Sequence, residues 1–127
     1  KYIQDNNLQD QVILEDYVSD LELKTIISNT AILVNPSKIE GFGLQILEAL
    51  ENKVPCLISE IPVFKEVFKN ACLYFDKEDH IELSDKILFL NNNLELQKQL
   101  EHNADSIIKN YSFKKTYLKF KALLKKI

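Results

Sequence analysis

The 127-residue sequence has two glycines, two cysteines and three prolines, and no apolar run reaches the roughly 18 residues needed to cross a bilayer. Lys1 to Asp10 is polar and lacks the apolar core of a secretory signal, so a cytoplasmic setting is expected. Cys56 and Cys72 lie in the apolar stretches Val54–Ile58 and Ala71–Phe75 and read as buried free thiols rather than a disulfide or metal pair. His80 and His102 have no second His or Cys at ligand spacing, so no bound metal is expected. A formal net charge of −3 gives no bulk attraction for nucleic acid. With no internal repeat, low-complexity segment or linker, one domain over residues 1–127 is expected.

What is present suits a folded chain. Hydrophobic residues make up 46% and charged residues 28%, near the average for globular proteins, which excludes a disordered one. The short apolar runs Gln11–Leu14, Ala31–Asn35, Val54–Ser59 and Ala71–Phe75 are rich in β-branched residues and leucine, as strands covered on both faces require. Helical patterns separate or follow them at about Asp20–Ser28, Phe42–Glu51, Pro62–Lys69 and Asp79–Leu90. The alternation predicts an α/β fold with a parallel sheet of about four strands and right-handed crossovers. Two helices without strands follow, about Leu94–Asn110 and Ser112–Lys126. The last has Phe113, Tyr117, Phe120 and Leu124 on one face, Ser112 as its cap, and six lysines with no acid from Ser112 to Ile127. A solvated face is the first reading of those lysines, and peripheral contact with an anionic membrane, or contact with a partner domain, is the alternative.

Both glycines fall between Asn35 and Leu50, where a strand end runs into a helix. In open α/β sheets this carboxyl edge is where ligands sit. Gly41 and Gly43 bring backbone close to whatever lies there. The unpaired amides of the following helical turn carry partial positive charge and seat a phosphate. Glu40 precedes the turn and Glu48 follows eight residues on, about 10 Å away along the element at 1.5 Å per helical residue. Ionised carboxylates accept hydrogen bonds from paired hydroxyls. Acids flanking an amide-lined seat thus match a nucleotide sugar, with hydroxyls at both ends and phosphates between. Simple surface acids, with Glu40 favouring the helix dipole, are the alternative.

The same stretch, Glu40-Gly41-Phe42-Gly43-Leu44 followed by Leu47-Glu48-Ala49, resembles the E-x7-E motif of the retaining GT-B glycosyltransferases of family 4, or glycosyl transferases group 1. Further blocks resemble that family in order: Val12-Ile13-Leu14 through Tyr17-Val18-Ser19-Asp20 and Leu23, then Val34-Asn35-Pro36-Ser37, Pro55 to Ser59, Ile61-Pro62 with Glu66-Val67, and Tyr74-Phe75-Asp76. The resemblance implies the carboxyl-terminal, Rossmann-like half of a GT-B fold that binds a nucleotide-diphosphate sugar as co-substrate, with no other cofactor and no metal. It implies that Glu40, the catalytic acid of the site, contacts donor sugar hydroxyls. The backbone of Gly41, Phe42, Gly43 and Leu44 would approach sugar and diphosphate, Glu48 would hold the ribose, and Val18 and Ser19 would lie near the base.

The sequence departs from the family pattern at Asp16, which stands where relatives have a glycine. Relatives neutralise the diphosphate with an upstream Arg and Lys and order six strands 3-2-1-4-5-6. The four strand-like runs match the third to the sixth. The expectation is therefore a truncated domain that works with an amino-terminal acceptor domain or a partner chain and is poorly active alone. The alternatives are a non-catalytic nucleotide-sugar-binding or interaction module, one half of a split enzyme, or an unrelated flavodoxin-like binding domain.

Overall fold

The computed structural model describes residues 1–111 and 113–125. Three strands, β1 (Leu33–Asn35), β2 (Cys56–Ser59) and β3 (Leu73–Phe75), form one parallel sheet in the order β1-β2-β3. Leu33 stands opposite Cys56 and Asn35 opposite Ile58, while Leu57 stands opposite Leu73 and Ser59 opposite Phe75. The helices are α1 (Tyr2–Asp5), α2 (Asp20–Ser28), α3 (Leu44–Glu51), α4 (Pro62–Phe68), α5 (His80–Asn91), α6 (Leu94–Asn110) and α7 (Phe113–Leu124).

Local chemistry fixes several of these boundaries. Ser19 caps α2 through a reciprocal box: its Oγ accepts from the Glu22 N–H at 3.4 Å, and Glu22 Oε2 accepts from the Ser19 N–H at 2.8 Å. Asp79 accepts from the N–H groups of Ile81 and Glu82 at the start of α5. Asn93 does the same for Leu96 at the start of α6. Pro62 opens α4, where its missing N–H costs nothing.

Alternation along β2 sends its side chains to two cores. Cys56 and Ile58 pack with Ile46, Leu50, Phe64, Phe68, Ala104 and Ile107 of α3, α4 and α6. Leu57 faces the other way, onto Phe75, Leu90 and Leu100. Cys56 and Cys72 are buried free thiols. The hydrogen bond with Cys56, followed by burial, pushes the Cys72 thiol well above its ordinary range, so it stays protonated and inert.

The parallel α/β class is as expected, but Gln11–Leu14 forms no strand. Ile13 and Leu14 are 81% and 79% exposed. A strand persists only when a neighbour supplies its N–H and C=O partners. In the strand order implied by the resemblance, the neighbour of this run is none of β1, β2 and β3. The short α1 was not expected; four residues show no readable period. On α7, Tyr117, Phe120 and Leu124 share a face as expected and are exposed. The expected cap Ser112, the last helical residue Lys126 and the Phe113 side chain lie outside the described residues. Among the described residues no helix is long and apolar enough to cross a membrane.

Candidate donor site

Parallel pairing brings the carboxyl ends of β1, β2 and β3 to one edge, and the 36–43 loop leaves β1 there. Its two glycines differ in kind. Gly43 sits at φ +95° as the residue that starts α3. A Cβ there would lie 2.9 Å from Phe64 Cε1 and 3.0 Å from Ile46 Cδ1. Both the left-handed backbone and the aromatic packing therefore demand glycine at 43. At Gly41 a Cβ would meet nothing within 4 Å, and the residue is exposed. Packing within the chain gives no reason for glycine at 41.

The helix start that follows is open. Gly43 has no side chain to cap α3, and its carbonyl accepts from Ile46 and Leu47 at 3.0 and 3.3 Å. Among the described residues the N–H groups of Phe42, Gly43, Leu44 and Gln45 have no protein acceptor. Glu40, half-buried, turns back so that its Oε1 accepts from the Gly41 N–H at 3.2 Å. A carboxylate already rests on the first amide of the seat. The ring of Phe42 points inward, 5.1 Å from Tyr111 and 6.3 Å from Phe68, so only its backbone faces the seat. Leu44 is exposed.

Glu48 is exposed on α3 and lines an open cleft of about 260 Å³ with Asp20, Leu23, Lys24, Ile27, Glu51 and Asn52. Asn52 Nδ2 donates to the Glu48 carbonyl at 2.8 Å. Glu40 is not among the residues lining this cleft, so the two acids do not share it. Val18 lies in a separate hollow with Glu15, Leu21 and Glu22, and the hydroxyl of Ser19 is engaged as the α2 cap. The structure thus joins Glu40 to Gly41, Phe42, Gly43 and Leu44, joins Glu48 to α2, and leaves Val18 and Ser19 outside both groups. Asp20 and Lys24 beside Glu48 were missed by sequence reasoning. Their spacing of four puts them on one helical face with Leu23 and Ile27, but nothing local ties that face to α3.

Comparison with known proteins adds a common theme. Residues 1–106 match the model of the family described as glycosyl transferases group 1. The chain is 43% identical over 75 residues to the O-antigen chain mannosyltransferase RfbU of Salmonella typhimurium, an alignment covering 59% of this chain and 21% of that protein. It is 34% identical over 86 residues to the O-antigen biosynthesis glycosyltransferase WclY of Escherichia coli, covering 68% of this chain and 24% of the relative. Among solved structures it is similar to the crystal structure of TarM, with a TM-score of 0.79 and 27% identity over 96% of this chain and 25% of that one. The matched part spans about a fifth to a quarter of the length of these proteins.

Proposed function

This chain belongs to the glycosyl transferases group 1 family, and from that premise we propose that it is the donor-binding part of a retaining transferase. That enzyme moves a sugar from a nucleotide-diphosphate sugar to a glycan or lipid acceptor. The observation that carries the reading is the contrast between the glycines. Gly43 is required by the fold, whereas Gly41 borders open space beside unpaired amides and Glu40. A ligand that needs backbone without a Cβ accounts for the second glycine.

The diphosphate sits against the unpaired amides from Phe42 to Leu44 at the positive end of α3, and the Gly41 backbone passes the sugar. Glu40 leaves the Gly41 N–H to accept from donor sugar hydroxyls, and Glu48 holds the ribose in the cleft beside α2. Val18 and Ser19, in the loop before α2, flank the base through backbone and the Val18 side chain, since the Ser19 hydroxyl serves the cap. As the glycosidic bond breaks, positive charge grows on the sugar ring and negative charge on the departing diphosphate. Fixed amides stabilise the latter without reorganising. Names of relatives such as RfbU favour a mannosyl donor. The open side of β1 and the exposed Ile13 and Leu14 favour a second element of the reading: the acceptor half comes from another segment or chain.

Calorimetry with guanosine and uridine diphosphates and their mannosyl and glucosyl sugar nucleotides tests this. Glu48→Ala should weaken nucleotide binding at least tenfold. Gly41→Ala should leave stability unchanged or slightly raised, by less than about 1 kcal/mol, yet weaken donor binding. Equal binding by wild type and both variants sinks the reading. The 127-residue chain alone should turn over sugar nucleotide poorly; robust transfer by it would refute the need for an acceptor half.

A further inference from the structure

Among the described residues only two buried side chains are polar, Asn35 and Ser59. They end the adjacent strands β1 and β2, and both bond to the main chain of one residue. Asn35 Oδ1 accepts from the Ser37 N–H at 3.0 Å, and Ser59 Oγ donates to the Ser37 carbonyl at 2.5 Å. Burying a polar group is unfavourable unless it is hydrogen-bonded, so each group is held to its partner. Ser37 is thereby fixed at its N–H and at its C=O, three residues before Glu40. A third tie reaches β3: Lys38 Nζ bonds both carboxylate oxygens of Glu78, at 2.8 and 2.9 Å, across the loop that follows that strand. Those two side chains are 63% and 64% exposed, and an exposed pair holds weakly. The buried bonds therefore do most of the holding.

We propose that Asn35 and Ser59 are positioning residues for the donor site. They touch no ligand, but they clamp Ser37 so that the loop delivers Glu40 and Gly41 to the sugar end of the donor. The inference rests on the donor reading above. It assigns the clamp to the sugar end alone, because Glu48 stands on α3, beyond the loop. Small displacements of a group that must meet a ligand squarely have large effects on recognition.

The test uses Ser59→Ala and Asn35→Ala, which should act alike, with Ser59→Thr as the variant that keeps a hydroxyl. In calorimetry Ser59→Ala should bind a sugar nucleotide about tenfold more weakly, while its affinity for the matching nucleoside diphosphate stays within about twofold. Ser59→Thr should recover most of the loss. Hydrogen exchange on the unliganded chain should show the Ser37 to Gly41 amides opening about tenfold faster in Ser59→Ala, with α6 amides unchanged. Equal weakening toward both ligands, or exchange that quickens equally in α6, would mark Ser59 as merely structural and overturn the proposal. So would unaltered exchange between Ser37 and Gly41. If the unaltered chain binds neither ligand, the donor reading fails first and the clamp loses its role. If it binds both and Ser59→Ala does not separate them, the clamp alone is wrong.

Discussion

The sheet and the segment before α2 contain the same kind of residue and treat it in opposite ways. Leu57 and Ile58 on β2 are fully buried between two layers of helices. Ile13 and Leu14, in an equally aliphatic run, are largely exposed. The difference is not composition. β2 has a hydrogen-bonded strand on each side, whereas 11–14 pairs with no strand among the described residues, and its Gln11 and Val12 N–H groups turn back to the Leu8 carbonyl. Hydrophobicity selects what is buried only after the backbone has found partners.

The sharpest way to widen this contrast is to remove a ring from the buried side. Phe64→Ala should destabilise the chain by about 3–5 kcal/mol, seen as a large drop in the urea midpoint. Gly43→Ala comes next, since it forces a left-handed residue and a 2.9 Å contact with Phe64. Its cost should be about 2–3 kcal/mol in the same measurement. Ser19→Ala removes the cap of α2 at the border between the two regions and should cost about 1 kcal/mol. That loss should appear as faster exchange in α2. The Ser19 hydroxyl, then its N–H, hold the Glu22 carboxyl below its ordinary value of 4.5. A carboxyl with a depressed folded-state value binds fewer protons folded than unfolded. The contribution of the cap is therefore complete above 4.5 and fades as pH falls through the lower, folded value. Acid titration of α2 in wild type and Glu22→Gln checks this: only the wild type should show the added loss. The smallest effect belongs to the exposed run, where Ile13→Ala should change stability by less than about 0.5 kcal/mol. A large destabilisation there would break the comparison.

Much of this architecture was legible because its signals are local. Apolar spacing and Pro62 mark helices within a few residues of sequence, and α2 and α6 fall at Asp20–Ser28 and Leu94–Asn110 as expected, whereas the caps Ser19, Asp79 and Asn93 came from the structure. The three paired strands are shorter than their apolar runs because pairing, not hydrophobicity, sets where a ladder begins. Gln11–Leu14 misled for the same reason. At the candidate site, glycine economy and the flanking acids were visible in one stretch. The cause of Gly43 was not, since Phe64 and Phe68 approach it from α4. Nor was the grouping of Glu48 with Asp20 and Lys24, which depends on how α2 packs on α3.

β1 has one side joined to β2 and, among the described residues, the other open, and the 36–43 loop springs from its end. A strand added on the open side would stiffen the very backbone from which the ligand seat departs. Thermodynamic reciprocity then links the two events: whatever strand occupancy does for ligand affinity, ligand occupancy does for the strand, by the same factor. Assembly and cargo would report on each other through three residues of edge.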